Sequence, residues 1–463
     1  MTDERKAELE RALSLGLAVV AALVAVTCGS RGTLEHGPIA PLSPPPSAAN
    51  AGASGLAGVP RPASSRSPEP AALSAEPSAN SPGAAAPKAD PTRLALPRFY
   101  ADLAALEQKQ RSKPVRILWL GDSHTAADFL TGSLRTRLQA RFGAGGPGFV
   151  RVGLKPYRHS QVHWSCDGPW KIEPVPPPRR TPFDDGVFGL GGIRAYPDGA
   201  PAVASFELGA GAARGRLGWQ LWYSLPEGAS FRVTVGGVSQ VVTHGTAASE
   251  LPGAGFSSLA LDSAAPDKLE LLTLGGAPRF YGLIAEGAEP GLVLDAVGID
   301  GARVATALAW GEGSFEAAVR AREPSLVAIA FGTNEAFDAD KPEKYRPQYQ
   351  ALLTRVRAAA PNVDCLIVGP PDANAVAGGS EPRVAELDAL QRSVAGDLGC
   401  GYLSQLEIMG GPGSYSRWSH QTPALAKGDR LHLSAKGYDL VANAIADRLL
   451  AAYEQRAAKS VSQ

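Results

Sequence analysis

The sequence predicts a three-layer α/β/α sandwich with a mostly parallel sheet, interrupted by an inserted antiparallel β sandwich and preceded by a disordered Pro/Ala-rich linker. Three observations predict it. Apolar runs alternate with helical patterns over 94–149 and again over 290–457, as in a parallel sheet covered by helices on both faces. Between these parts, over 150–289, short strand-like runs are separated by turn residues, as in an antiparallel sandwich. Before residue 94 the chain is dominated by Ala, Pro, Ser and Gly.

Met1 to Arg11 is polar, and Ala12 to Thr27 is an uncharged apolar run of 16 residues. That is short for a spanning helix, which needs about 20, and long for a signal-peptide core of about 7–15. Residues 1–28 are therefore expected to be an export signal or a membrane anchor, giving an exported protein of the periplasm or outer envelope. A lipid on Cys28 would fit its place at the end of the run, although Ala25-Val26-Thr27 departs from the bacterial lipoprotein pattern. Residues 29–93 are too poor in large apolar side chains to offset the entropy of ordering, and read as a tether.

At 463 residues the chain exceeds one compact domain, and its 44% hydrophobic content is that of a folded protein. Lys+Arg 45 balance Asp+Glu 45, so no basic field exists to attract nucleic acid. The remaining cysteines, Cys166, Cys365 and Cys400, are too scattered for a disulfide framework and read as small buried apolar residues. No Cys/His cluster has zinc spacing, and no metal or cofactor is expected.

Along the globular part, Phe99 to Gln110 reads as a helix, Val115–Leu120 as the first strand and Asp128 to Arg141 as a helix closed by the glycine-rich run from Gly143. Within 150–289 the expected strands are Ala202–Leu208, Gly215–Tyr223, Phe231–Val235, Gln240–Thr243, Lys268–Leu274 and Arg279–Ala285. The α/β pattern then resumes with strand Gly291–Val297, a helix over Val304 to Ala321, and the wholly apolar strand Ser325–Phe331. Helix Tyr345 to Ala359, strand Val363–Val368, helix Val384 to Leu398, the short strand Tyr402-Leu403 and a last helix from Ser434 to Arg456 complete it. Ser434 is placed to cap that helix.

Gly121-Asp122-Ser123-His124 follows the first strand directly. A serine there lies at the carboxyl edge of the sheet, where open α/β folds keep their ligands. It becomes a nucleophile only with a base, an orienting acid and oxyanion donors. Asp429-Arg430-Leu431-His432 supplies an acid three residues before a histidine; alone, such a pair is more often a surface or capping pair. Asn334, in Gly332-Thr333-Asn334-Glu335, follows the central strand and can aim an amide at the site; an Asx-type cap is its bland alternative. Gly301 follows another strand and can bring a backbone N–H close, or simply make a turn. Ser123 adds its own N–H. Asp122 reads as structural, His124 as a loop residue packed near the site, and Trp119 as core.

In this order the four blocks resemble the SGNH/GDSL hydrolase superfamily: Gly121-Asp122-Ser123, Gly301, Gly332-Thr333-Asn334-Glu335 and Asp429-Arg430-Leu431-His432. Glu335 stands where that pattern has aspartate, at a position without a role in the expected chemistry. The run Gly121 to Phe129, the run Gly332 to Phe337 and the β insert after the serine block are similar to bacterial peptidoglycan O-acetylesterases, whose insert is a carbohydrate-binding-like sandwich. The resemblance implies Ser123 as nucleophile, His432 as base, Asp429 as orienting acid, and Ser123, Gly301 and Asn334 as oxyanion donors. It implies removal of acetyl groups from the C6 hydroxyl of N-acetylmuramic acid. An acetylated polysaccharide is thus the expected partner, with no nucleic acid and with membrane contact through the N-terminal run. A base that must be neutral makes the rate fall as pH drops through the imidazole range, about 6.5 for a free side chain. Two other classes remain open: an O-acetyltransferase using the same triad, and a non-catalytic glycan-binding protein. Trp164, Trp170, Trp219 and Trp222 of the insert are candidates for stacking on sugars, with burial the commoner fate of such residues.

Overall fold

The structure, a computed structural model, describes residues 94–461 apart from 154–156, 176–182, 184, 200, 213–215, 264 and 312. The expected signal or anchor, Cys28 and the tether lie outside the described residues. Among those described, no helix is long and apolar enough to cross a membrane.

Five strands form a parallel sheet: β1 (Val115–Gly121), β2 (Leu292–Gly298), β3 (Leu326–Ala330), β4 (Asp364–Gly369) and β5 (Gly401–Ser404). Their order is β2-β1-β3-β4-β5. The helices are α1 (Pro97–Glu107), α2 (Ser123–Ala126), α3 (Phe129–Phe142), α4 (Val304–Leu308), α5 (Ser314–Arg322), α6 (Arg346–Ala359), α7 (Pro382–Leu398), α8 (Gln405–Met409), α9 (Ser414–Ser419) and α10 (Ala435–Val461).

Successive strand residues face opposite sides of a sheet, and here the two sides are two separate cores. Ile117 and Trp119 of β1 pack with Phe99 of α1, Leu134 of α3 and Ile445 of α10. Leu118 and Leu120 pack instead with Val319 of α5, Leu352 of α6 and Leu387 of α7. This two-sided burial is why the strands read as unbroken apolar runs. Ser434 caps α10, its hydroxyl accepting the Gly437 N–H at 3.2 Å.

One expected element differs. The single helix over 304–321 is broken into α4 and α5. Trp310 turns into the core between them, its indole N–H donating to the Gly189 carbonyl at 3.0 Å, and Gly313 takes a φ of +86° before α5.

The region 148–287 forms two antiparallel sheets. One runs in the order 249–250, 257–261, 217–224, 279–287, 193–197, 170–174, with 148–150 also paired to 279–287. The other runs 162–167, 203–208, 268–275, 230–235, 238–242. Their facing sides share one core, built from Leu221, Tyr223 and Leu283 of the first and Phe206, Phe231 and Leu271 of the second. Strands 162–167 and 170–174 escape a sequence reading because polar residues interrupt any apolar run. Trp170, Trp219 and Trp222 are buried, and only Trp164 is partly exposed. The first three are therefore core residues and present no face to a sugar.

A buried ion network joins the two regions. Asp295 of β2 accepts from Arg322 of α5 at 2.8 and 3.1 Å and from the backbone N–H of Phe149 at 2.8 Å. Arg322 also meets Glu286 of the insert, which Arg116 of β1 holds through two 2.8 Å bonds. Burial would raise the Glu286 carboxyl, but Arg322 and Arg116 outweigh it and lower it to about 2.

The cysteines require a correction. Cys365 of β4 and Cys400, just before β5, form a disulfide rather than two buried thiols. Parallel neighbours in register bring their amino ends together, so residues 35 apart in sequence meet across one strand spacing. No free cysteine is found among the described residues.

Candidate active site

With the order β2-β1-β3, the chain turns to opposite sides of β1, and the carboxyl ends of β1 and β3 open a crevice at that switch point. Ser123 follows β1 at this crevice and Asn334 follows β3. Ser123 opens α2, one turn stopped against the sheet. Gly298, in register with Gly121, makes that close approach possible: a Cβ there would lie 2.1 Å from the Ala126 nitrogen. Asp122 caps the turn, its carboxylate accepting the His124 N–H at 2.9 Å. Burial raises the Asp122 carboxyl to about 6 against the opposing bonds from His124 and Thr333. Trp119 is core, as expected, and its indole reaches the Thr125 hydroxyl at 3.2 Å.

Ser123 Oγ lies 2.9 Å from His432 Nε2, and His432 Nδ1 lies 3.0 Å from Asp429 Oδ2. Nδ1–H donating to the carboxylate leaves Nε2 free to accept the serine proton. Asp429 is itself fixed: Oδ1 accepts the N–H groups of Leu431 at 3.0 Å and His432 at 2.8 Å. That turn places Arg430 at a φ of +68°. Partial burial would raise the Asp429 carboxyl, but the His432 ring and these N–H groups hold it well below the usual carboxylate range. The sequence reading missed Tyr415 of α9, whose hydroxyl sits 3.2 Å from Asp429 Oδ1 and 2.8 Å from the Lys427 carbonyl. A lone tyrosine in a short helix offers no sequence signal.

His124 is corrected in one respect. It lies on helix α2 rather than in a loop, buried, with its ring centroid 5.2 Å from that of His432 and Nδ1 2.8 Å from the Tyr438 hydroxyl. Burial, reinforced by His432, lowers it to about 3, which favours the neutral ring.

Gly301 has a φ of +72°, in the left-handed region, and no atom lies within 4 Å of where its Cβ would be. The N–H groups of Gly301 and Ser123 have no acceptor among the described residues. Asn334 Nδ2 donates to the Ala302 carbonyl at 2.9 Å, which ties the asparagine block to the glycine block and leaves its second N–H free. Glu335 completes that tie. Its buried carboxylate accepts the Val304 N–H at 2.8 Å and the Gly332 N–H at 3.0 Å, one from each block. The position taken to have no chemical role thus spans the two donor loops. Among the described residues no group of His, Cys, Asp or Glu is placed to hold a metal.

Burial raises Glu335 to about 7, with the Val304 bond opposing. Below about pH 4.3, the ordinary value, both folded and unfolded chains carry the proton. Between there and 7 the folded chain binds more protons, so stability falls as pH rises. Glu335→Gln is expected to remove up to about 3 kcal/mol of that fall. Urea unfolding of both proteins from pH 4.5 to 7.5 measures it; parallel curves would contradict it.

The GDSL-like lipase/acylhydrolase family matches residues 270–440. That span holds Gly301, Asn334, Asp429 and His432, while the insert separates it from Ser123. No curated protein matches the sequence. Among solved structures, a lipase/acylhydrolase from Enterococcus faecalis is 18% identical, covering 35% of this chain and 76% of that one, with a TM-score of 0.27. An acetyl xylan esterase is 17% identical, covering 35% and 81%, also with a TM-score of 0.27. A peptidoglycan O-acetylesterase is 26% identical, covering 77% of this chain and 96% of that one, with a TM-score of 0.64. The family match over residues 270–440 and the likeness to the O-acetylesterase support an ester-hydrolysing enzyme of the SGNH/GDSL hydrolase type. Within that class its architecture, insert included, is similar to that of the peptidoglycan O-acetylesterase.

Proposed function

We propose that this esterase removes O-acetyl groups from cell-envelope polysaccharide, peptidoglycan before others. The observation that carries the reading is the continuous chain from Ser123 Oγ to His432 at 2.9 Å and on to Asp429 at 3.0 Å. Ser123 Oγ attacks the acetyl carbonyl while His432 Nε2 takes its proton. Asp429 stabilises the imidazolium that forms. The N–H groups of Ser123 and Gly301 and the Asn334 amide hold the developing oxyanion. Collapse of the tetrahedral adduct expels the sugar hydroxyl, protonated by His432. Water, deprotonated by the same nitrogen, then attacks the acyl-serine and releases acetate.

The substrate follows from the likeness to a peptidoglycan O-acetylesterase. The disulfide and the apolar run Ala12 to Thr27 support an exported enzyme held at the envelope through its N-terminal tether. Acetate release from O-acetylated peptidoglycan, measured beside acetylated xylan and without any added acceptor, tests the reading. Release from peptidoglycan in excess of xylan is expected. Acetate that appears only when an acceptor glycan is supplied would make the protein a transferase, and a preference for xylan would overturn the substrate.

A further inference from the structure

Arg151 is buried at 5% exposure, yet it makes no ion pair among the described residues. The buried arginines Arg135, Arg194 and Arg322 all meet carboxylates. Arg151 instead gives Nη2 to two backbone carbonyls, Gly191 at 3.1 Å and Gly298, and its Nε is buried without a partner. A buried guanidinium without a carboxylate is costly. Burial pulls its pKa down, and only Tyr157 and Asp300 act against that.

Its location gives that cost a purpose. Gly298 ends β2 beside Gly121, and its backbone lies against Thr125 and Ala126 of α2. The Ile299 N–H bonds back to the Gly121 carbonyl at 3.1 Å. The turn that starts at Gly298 delivers Gly301 three residues later. The carbonyl gripped by Arg151 is therefore the anchor of the loop that carries one oxyanion donor, Gly301, next to the helix that carries a second, Ser123.

We propose that Arg151 is a positioning residue of the oxyanion hole: it fixes the Gly298–Gly301 turn and sets a buried positive charge behind the N–H groups of Gly301 and Ser123. The proposal rests on the mechanism given above. One strand spacing of about 4.8 Å plus a hydrogen bond puts the guanidinium on the order of 10 Å from the nucleophile. A unit charge at that range, in a protein interior of effective dielectric about 20, changes a rate by about tenfold. Arg151 and Gly191 both belong to the insert. The insert is then part of the catalytic apparatus and not only an appended module.

The test uses full-length protein, p-nitrophenyl acetate as substrate and phenylboronic acid as inhibitor. The boron takes up the serine oxygen as an anionic tetrahedral adduct and so reports on the oxyanion hole. Arg151→Met is expected to lower kcat about tenfold, leave KM within about twofold, and weaken the boronic acid about tenfold, while product inhibition by acetate is unchanged. Arg151→Lys keeps the charge but cannot reach both carbonyls, and is expected roughly threefold below wild type in kcat. Wild-type kcat and inhibition in a folded Arg151→Met protein would overturn the proposal. If that variant does not fold, Arg151→Lys decides, and a wild-type kcat there overturns it. Ser123→Ala in the same assay separates the failures. Activity lost there beside an unchanged Arg151→Met removes only the role of Arg151; activity kept there removes the mechanism and this proposal with it.

Discussion

Replacing Ser123 with alanine is expected to lower acetate release by about 10⁴- to 10⁶-fold, with no loss of fold. The serine side chain is small and sits at the mouth of the crevice, so alanine removes only Oγ and leaves the cap on α2, which belongs to Asp122. His432→Ala is expected to cost about as much, and the double variant no more than either alone, because the two groups act in one proton transfer. Asp429→Asn is expected to cost roughly 10³- to 10⁴-fold. An amide at that position presents N–H or a weaker acceptor to His432 Nδ1, so the ring loses its orientation and the imidazolium its counter-charge. The depressed pKa of Asp429 also keeps it ionised across the working range, so the acid does not limit activity on the acidic side. Intact mass after a short exposure to p-nitrophenyl acetate tests the same step directly: an acetyl adduct on wild type and none on Ser123→Ala. Near-normal acetate release by the alanine variant would falsify the scheme.

The largest stability effect is expected at Asp295. Asp295→Ala leaves Arg322 buried with a single carboxylate, Glu286, and leaves the Phe149 N–H without its acceptor. Breaking a buried pair in this way costs about 3–5 kcal/mol. Asp295→Asn keeps an acceptor for Phe149 and is expected to cost less. Truncating Arg322 together with Asp295 removes the stranded charge, so the double variant is expected to be more stable than the sum of the two single losses. Thermal or urea unfolding of the four proteins measures the coupling. Independent, additive losses would show that the network is not one unit.

The parallel sheet was legible because its strands are buried on both faces. Ser325–Phe331 has no polar position after its first residue, and few other structures explain such a run. The candidate site blocks were legible because those of Ser123, Gly301 and Asn334 each follow a strand end, while Asp429 and His432 immediately precede the last helix. What escaped was set by tertiary geometry. The disulfide depends on Cys365 and Cys400 being adjacent in register, which spacing alone does not reveal. Glu335 looked idle because one of its partners, the Val304 N–H, lies 31 residues away and belongs to the other loop. Trp310 broke a helix that its neighbours would have continued, because the indole found an acceptor in the insert. Polar-interrupted edge strands such as 162–167 carry too short a pattern to read.

The disulfide joins the amino ends of β4 and β5, while Ser123, Gly301 and Asn334 gather at the opposite rim of the sheet. Covalent fastening and chemistry thus occupy different poles of the molecule. Closing a loop of this size stabilises by roughly 3–4 kcal/mol in the chain-entropy picture. Reducing this bond is therefore expected to lower the unfolding midpoint while leaving ester hydrolysis by the folded protein unchanged, since the cross-link lies at the end of the sheet remote from Ser123.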